Sequence, residues 1–468
     1  WLGDRCRLAY NQIFNELLYF KIMQKFLVSI ISSVLIAFGC KAQPEPFPFE
    51  IDGAQNALGS VYIENLLTGD VIADVNGDLP LIPASVTKLV TAATVLEKAP
   101  KDFRYSTKVY TTGHISDSLL SGNILIKFTG DPTLESAHFP QQQGFVDSLV
   151  SAVKQAGIKT IKGRIIFEYD KSLEEITPSG WMQSDLPWMY GTGFHAVNYK
   201  DNAFVLSLPD KSSVPYVPDL NVVINKRRGA LDYSRKRGSK TITVTGRIPK
   251  RGVREKLANP DPEGSLKSDI ERQLMGEGIA IENASLRNRH ENLIYEHMSA
   301  PLIDILRSTM FRSDNMMAEA MLKLSAPGQS RDKAAEKEIK LWQKRDVDCY
   351  GLVIKDGSGL SRENRLSAYF LADILVWKGC DNIDFDFIEL FPRCGEQGTV
   401  RNLLKDTSLQ GKIALKSGSM RGVKCYAGYA LNDDGLPTHV IVVMVNEYNG
   451  NIAKLKKAIE SFLLNNIS

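Results

Sequence analysis

Residues 81–100 read LIPASVTKLVTAATVLEKAP, and the fold is decided on this stretch. Val86, Leu89, Val90, Ala93 and Leu96 recur at helical spacing, so a helix should start near Ser85. Ser85 and Lys88 then share one helical face, and the lysine can lie against the serine hydroxyl. That hydroxyl is a weak nucleophile until a base takes its proton. An amine serves as that base only when neutral, which calls for desolvation and a nearby cation. A serine at a helix N-terminus also meets favourable potential for a developing oxyanion.

Two further patterns follow in order, Ser313-Asp314-Asn315 and Lys416-Ser417-Gly418. Each pattern alone is weak. Ser-x-x-Lys also occurs at Ser151/Lys154 and Ser330/Lys333, and Ser-x-Asn at Ser121/Asn123, whereas Lys-[Ser/Thr]-Gly occurs once. Ser151 sits on a polar helix face and Ser330 in the charged stretch GQSRDKAAEKE, so both read as solvated helix positions. Lys416 is the candidate cation beside Lys88.

Around this set the composition is ordinary for globular protein. Hydrophobic residues make 43% and charged residues 24% of 468, enough chain for two or three structural units. A net charge of +3 implies neither nucleic-acid binding nor an acidic substrate. From Met23 the chain reads MQKFLVSIISSVLIAFGCKAQ, whose apolar run Phe26–Gly39 has the length of a signal-peptide core and is short for a membrane span. Release at Cys40-Lys41-Ala42 would give a soluble exported protein, and a lipid on Cys40 the one route to a membrane. Residues 1–22 are set aside as an upstream extension. Export permits disulfides, and Cys349, Cys380, Cys394 and Cys425 are enough for two bridges.

Along the chain, residues 60–78 read as a β-hairpin turning at Thr68-Gly69-Asp70. Strand-like runs then mix with one amphipathic helix, GFVDSLVSAVKQAGI, up to about residue 295. Helical character returns in APLIDILRSTMFRSDNMMAEAMLKL. Three strands (KIALKSGSM, CYAGYALN, THVIVVMVN) and a helix close the chain. One sheet can therefore be assembled from both ends of the chain. Residues 226–256 hold 12 Lys/Arg against Asp232 and Glu255, a pattern that reads as a solvated sheet face.

Here the residues carry a resemblance. Ser-x-x-Lys, Ser-Asp-Asn and Lys-[Ser/Thr]-Gly are shared by penicillin-binding proteins and serine β-lactamases. The 228 positions from Ser85 to Ser313 resemble the class C low-molecular-mass penicillin-binding proteins, the D-alanyl-D-alanine carboxypeptidase/endopeptidase family of penicillin-binding protein 4 type. PASVTKLVTAA, TGDPTL, Trp181–Asn202, KDGSGLSRENRLS, GEQGTVRNLL and KSGSMRGVKCYAGY match that family over nearly all of residues 55–450. Ser417 stands where threonine is commoner and keeps the hydroxyl.

The resemblance implies an α+β fold of the penicillin-binding-protein/serine β-lactamase type, an antiparallel sheet flanked by helices. Residues 43–104 and 296–468 would form a discontinuous catalytic domain, and 105–295 an insert of two small β-rich subdomains. It implies that Ser85 attacks the D-Ala-D-Ala carbonyl, that Lys88 is its base, and that Ser313 relays a proton to the leaving nitrogen. Asn315 would bind the substrate's backbone amide. Lys416, Ser417 and Ser419, beside Gly418, would hold the terminal carboxylate, with the N–H groups of Ser85 and Ser419 as oxyanion hole. Asp185, Arg362 and Arg421 would flank the cleft mouth and read the stem peptide's third residue. Peptidoglycan stem peptides are then substrates and β-lactams covalent inhibitors, at a periplasmic location, without cofactor or metal.

Competing signals are weaker. GTGFHA (191–196) imitates a dinucleotide fingerprint but follows no buried strand. Between Asn315 and Lys416 no Glu is followed four residues later by Asn, which disfavours a class A β-lactamase. A β-lactam sensor needs transmembrane helices, and none is predicted after Gly39. Carboxypeptidase and endopeptidase action stay undivided, since both cut at one serine.

Overall fold

The computed structural model describes residues 47–467 apart from 175, 288, 289 and 382. The Met23–Gly39 run and Cys40 lie outside the described residues. Five antiparallel strands form the main sheet, in the order Ile413–Met420, Val423–Leu431, Pro437–Asn446, Leu58–Asn65, Val71–Val75. The two ends of the chain meet there in full register, Leu58 opposite Asn446 and Asn65 opposite His439.

The central strand is an unbroken apolar run because both of its faces are covered. Val440, Val442 and Met444 point into one core with the Thr87–Leu96 helix, while Ile441, Val443 and Val445 face the C-terminal helix Ile452–Asn466. The Thr87–Leu96 helix is buried on all sides, so its three threonines must find partners inside. Thr87 and Thr91 donate to the Ala84 and Gly357 carbonyls, and Thr94 accepts from Trp342 Nε1, all at 2.9 Å. Each fully buried Val or Leu adds roughly 1.5–3 kcal/mol.

Between the first and second motifs lies a β-rich insert. Its entering strand Ser106–Thr112 pairs with its leaving strand Glu291–Met298, which runs across residue 295. Two apolar clusters lie between them. One holds helices Phe145–Gln155 and Pro262–Gly276; the other holds strands Ala203–Leu208, Asn221–Lys226, Asp232–Arg235 and Thr241–Gly246. The second helix was not anticipated. Its signals are local, with Asp261 capping the Gly264 N–H, Pro262 opening the helix, and Leu266, Ile270 and Leu274 on one buried stripe.

Two points that the sequence leaves open are resolved. The helical stretch 300–324 is two helices, Leu302–Arg312 and Asn315–Ser325, broken where Ser313 turns left-handed (φ +59°) and Asp314 caps Met317 N–H. Cys349, Cys380, Cys394 and Cys425, enough for two bridges, form no disulfide with one another among the described residues. Cys380 and Cys425 are buried against the Leu66 and Ile82 carbonyls, Cys394 packs in the core on the sheet's other face, and Cys349 faces the Val347 carbonyl.

Candidate active site

The three motifs converge where the sheet edge meets the start of the Thr87–Leu96 helix. A single 3₁₀ turn, Ala84–Val86, carries Ser85 into that helix. Ala84 is left-handed at φ +47°, a strained conformation of the kind that persists at functional sites. The Ile413–Met420 strand can lie against this turn only because residue 418 lacks a side chain. A Cβ there would stand 2.7 Å from the Pro83 carbonyl oxygen and 3.0 Å from the Ser85 nitrogen.

Ser85 is half-buried and Lys88 is 1% exposed. Lys88 Nζ is 3.0 Å from Ser85 Oγ, 2.6 Å from Asn315 Oδ1 and 2.6 Å from the Ser358 carbonyl. Asn315 Nδ2 donates to the Tyr190 carbonyl at 2.7 Å, so the amide is held at both ends and its oxygen faces the lysine. Lys416 Nζ donates to Ser313 Oγ at 2.9 Å and to the Ser417 carbonyl at 2.7 Å. Ser417 Oγ meets Thr399 Oγ1 at 2.7 Å, and Ser419 Oγ accepts from Lys424 Nζ at 2.7 Å.

Electrostatically Lys88 is lowered by desolvation as expected, whereas Lys416 departs from the expected role of its cation. Burial lowers Lys88 to about 8, opposed by the carboxylates of Asp356, Asp314 and Glu319. Lys416 is lowered well below the ordinary lysine range, first by burial and then by the charges of Lys88 and Lys424. Desolvation, rather than a cation at Lys416, is thus the main cause of the Lys88 shift.

Asp185, Arg362 and Arg421 also come together. Burial raises the Asp185 carboxyl, while Tyr190, Ser184 and the charge of Arg362 pull it down. Arg362 donates to the Arg421 carbonyl at 3.0 Å. The decoys separate: Ser151 is exposed on its helix, with Lys154 paired to Glu277, and Ser330 caps the Arg331–Gln343 helix. GTGFHA follows a short 3₁₀ turn and is loop.

In the KDGSGLSRENRLS loop behind Lys88, Asp356 and Ser358 have roles that the motif match did not assign. Asp356, fully buried, accepts from the N–H groups of Gly359 and Ser361, from Asn364 Nδ2 and from Trp181 Nε1 at 2.6–2.8 Å. One aspartate among Gly357, Ser358, Gly359 and Ser361 was the available signal, since such residues build side-chain-braced turns. Arg235 and Arg237 were read as solvated. Arg235 is half-buried and donates to the Leu186 carbonyl, while Arg237, exposed as read, donates to the carbonyls of Thr177, Pro178, Ser179 and Trp181.

This chain belongs to the D-Ala-D-Ala carboxypeptidase 3 (S13) family, whose model matches residues 50–465. It is 26% identical over 426 residues to the D-alanyl-D-alanine carboxypeptidase DacB of Haemophilus influenzae, spanning 84% of this chain and 87% of that one. The D-alanyl-D-alanine carboxypeptidase of an Actinomadura species is also 26% identical, over 81% of this chain and 76% of that protein. The crystal structure of Haemophilus influenzae penicillin binding protein 4 shares the fold, with a TM-score of 0.75 and 24% identity over 88% of this chain and 96% of that one. A second crystal structure of that protein, complexed with a β-lactam, has a TM-score of 0.71.

Proposed function

We propose that this chain is a serine DD-peptidase of peptidoglycan, acting through an acyl-enzyme on Ser85. The arrangement around Lys88 carries this reading. A neutral amine has two N–H groups and one lone pair. The Asn315 amide oxygen and the Ser358 carbonyl can only accept, so they take the two N–H groups. The lone pair is left to Ser85, the one partner of the three that can donate a proton.

Ser85 Oγ then attacks the penultimate D-Ala carbonyl as Lys88 takes its proton. The N–H groups of Ser85 and Ser419 receive the oxyanion. Ser313, bonded to Lys416, passes a proton to the leaving D-Ala nitrogen, and water later releases the acyl group. Lys416, Ser417 and Ser419 hold the terminal carboxylate, whose charge favours the protonated Lys416 that burial opposes. Asn315 keeps one N–H and one lone pair for the substrate amide. Gly418 leaves room for the nucleophile turn. β-Lactams acylate the same serine.

Asp185 faces the amino group of the third stem residue, and Arg362 and Arg421 its carboxylate. The catalytic unit is residues 43–104 with 296–468, and 105–295 walls the cleft as two subdomains. The chain acts in the periplasm after export through the Met23–Ala42 segment. Among the described residues no helix is long and apolar enough to cross a membrane; a lipid on Cys40 would anchor the chain.

Digestion of purified muropeptides with identification of products by mass tests the reading. Pentapeptide monomers should lose one D-Ala, and cleavage of cross-linked dimers would add endopeptidase action. Folded protein that leaves both unchanged contradicts the proposal.

A further inference from the structure

Glu319 lies one turn beyond Asn315 on the same helix and is fully buried. One carboxylate oxygen accepts the Ser358 N–H at 3.0 Å; the other accepts Arg331 Nε at 3.1 Å. Ser358 is itself solvent-free, and its carbonyl takes the Lys88 N–H. Bonds therefore run without interruption from Arg331 through Glu319 and Ser358 to Lys88. Arg331, only 5% exposed, belongs to the stretch that sequence reading placed in solvent.

Burying an acid and a base this deeply is strongly unfavourable unless both are paired. A structural pair needs no link to the reacting amine, yet this one ends on it. We propose that Glu319, held by Arg331, is a positioning residue for Lys88: it fixes the carbonyl that orients the amine and places one negative charge behind it. This rests on Lys88 being the base.

The surroundings set the sign. Asp314, Asp356 and Glu319 favour the ammonium form of Lys88, and Lys416 faces it from the sheet. Around Glu319 stand Asp356 from the loop, Arg331 and Glu338 from the Arg331–Gln343 helix, and Lys88. Burial and Asp356 raise the Glu319 carboxyl to about 7, against Arg331. The Arg331 guanidinium and the Ser358 N–H on its two oxygens hold Glu319 as the carboxylate while Lys88 loses its proton. Removing that charge makes the amine neutral at lower pH.

The test is the pH profile of acylation by a labelled penicillin, measured on the whole chain for the parent, Glu319→Gln, Glu319→Asp and Lys88→Arg. Glu319→Gln keeps an acceptor for Ser358 but loses the charge. Its acid limb should move down by on the order of one pH unit. Glu319→Asp keeps the charge on a shorter stem, so its limb should stay in place while the plateau falls severalfold. A folded Glu319→Gln whose limb coincides with the parent's overturns the proposal. Should that variant not fold, Glu319→Asp decides: a parental plateau, or a limb displaced downward, overturns it. Near-parental acylation by Lys88→Arg instead removes the base reading, whatever Glu319 variants do.

Discussion

Two groups of basic side chains occupy different parts of this molecule. In the cleft, Lys88 and Lys416 are at most 1% exposed, bonded to motif residues and held below the ordinary lysine range. At the paired strand ends of Asn221–Lys226 and Thr241–Gly246 in the insert, a tip of two strands, Lys226, Arg227, Arg228 and Arg247 line an open cavity of about 360 Å³, exposed and without ion pairs among the described residues. In the sequence the tip is far more conspicuous, with its local excess of positive charge. In the structure it is the cleft lysines that burial shifts toward the neutral form a base needs. Charge density is a property of composition; reactivity is a property of surroundings.

Replacing Lys88 tests the comparison most severely. Lys88→Arg keeps the charge but cannot give it up at working pH, and acylation should fall by roughly 10²–10⁴-fold. In the parent, acylation should rise with pH and level off above about 8, as Lys88 loses its proton. The same shift stabilises the fold as pH rises through 8 toward the ordinary lysine range, because there the unfolded chain still binds the proton that the native state has lost. Rates that fall with rising pH over this interval would break the account.

Gly418→Val comes next. Its side chain would collide with the Pro83 carbonyl and the Ser85 nitrogen, displacing the nucleophile turn at a cost of about 1–3 kcal/mol. Acylation should drop at least about tenfold, with a lowered Tm. Unchanged acylation would mean the motif strand need not touch the turn.

Asp185→Asn sharpens the outer part of the cleft. It should cost about tenfold in kcat/KM on a full stem peptide and nothing on a short acylated D-Ala-D-Ala. Equal loss on both would assign Asp185 to folding, and no loss on either would leave it a turn residue.

The smallest effect belongs to the tip. Serine at Arg227, Arg228 and Arg247 together should leave acylation unchanged and stability within about 0.5 kcal/mol per site. Arg237→Ala, from the same basic segment, should by contrast lose stability by about 1 kcal/mol or more in denaturant titration, since it frees four loop carbonyls. Equal effects at Arg237 and at the tip would erase the distinction.

Legibility followed the range of the interactions. Ser85, Lys88 and the hairpin were readable because spacing and turn residues are local signals. The break at Ser313 was hidden, since apolar spacing runs through both helices and only Asp314 marks the second start. Arg331 and Glu338 looked solvated because their neighbours are charged, yet they face the buried side of their helix. Glu319 could have been found: it is the lone acid in the apolar run MMAEAML, which asks for a buried partner. Ser358 needed the fold, because its partners Lys88 and Glu319 lie far along the chain, whereas Asp356 had a local turn signal and only Trp181 as a distant partner.

The central claim is that Ser85 carries the acyl group. Labelling the folded protein with a penicillin and mapping the modified peptide by mass spectrometry tests it directly. The adduct should sit on Ser85 and vanish in Ser85→Ala. Label on Ser151 or Ser330, or undiminished labelling of Ser85→Ala, would contradict it.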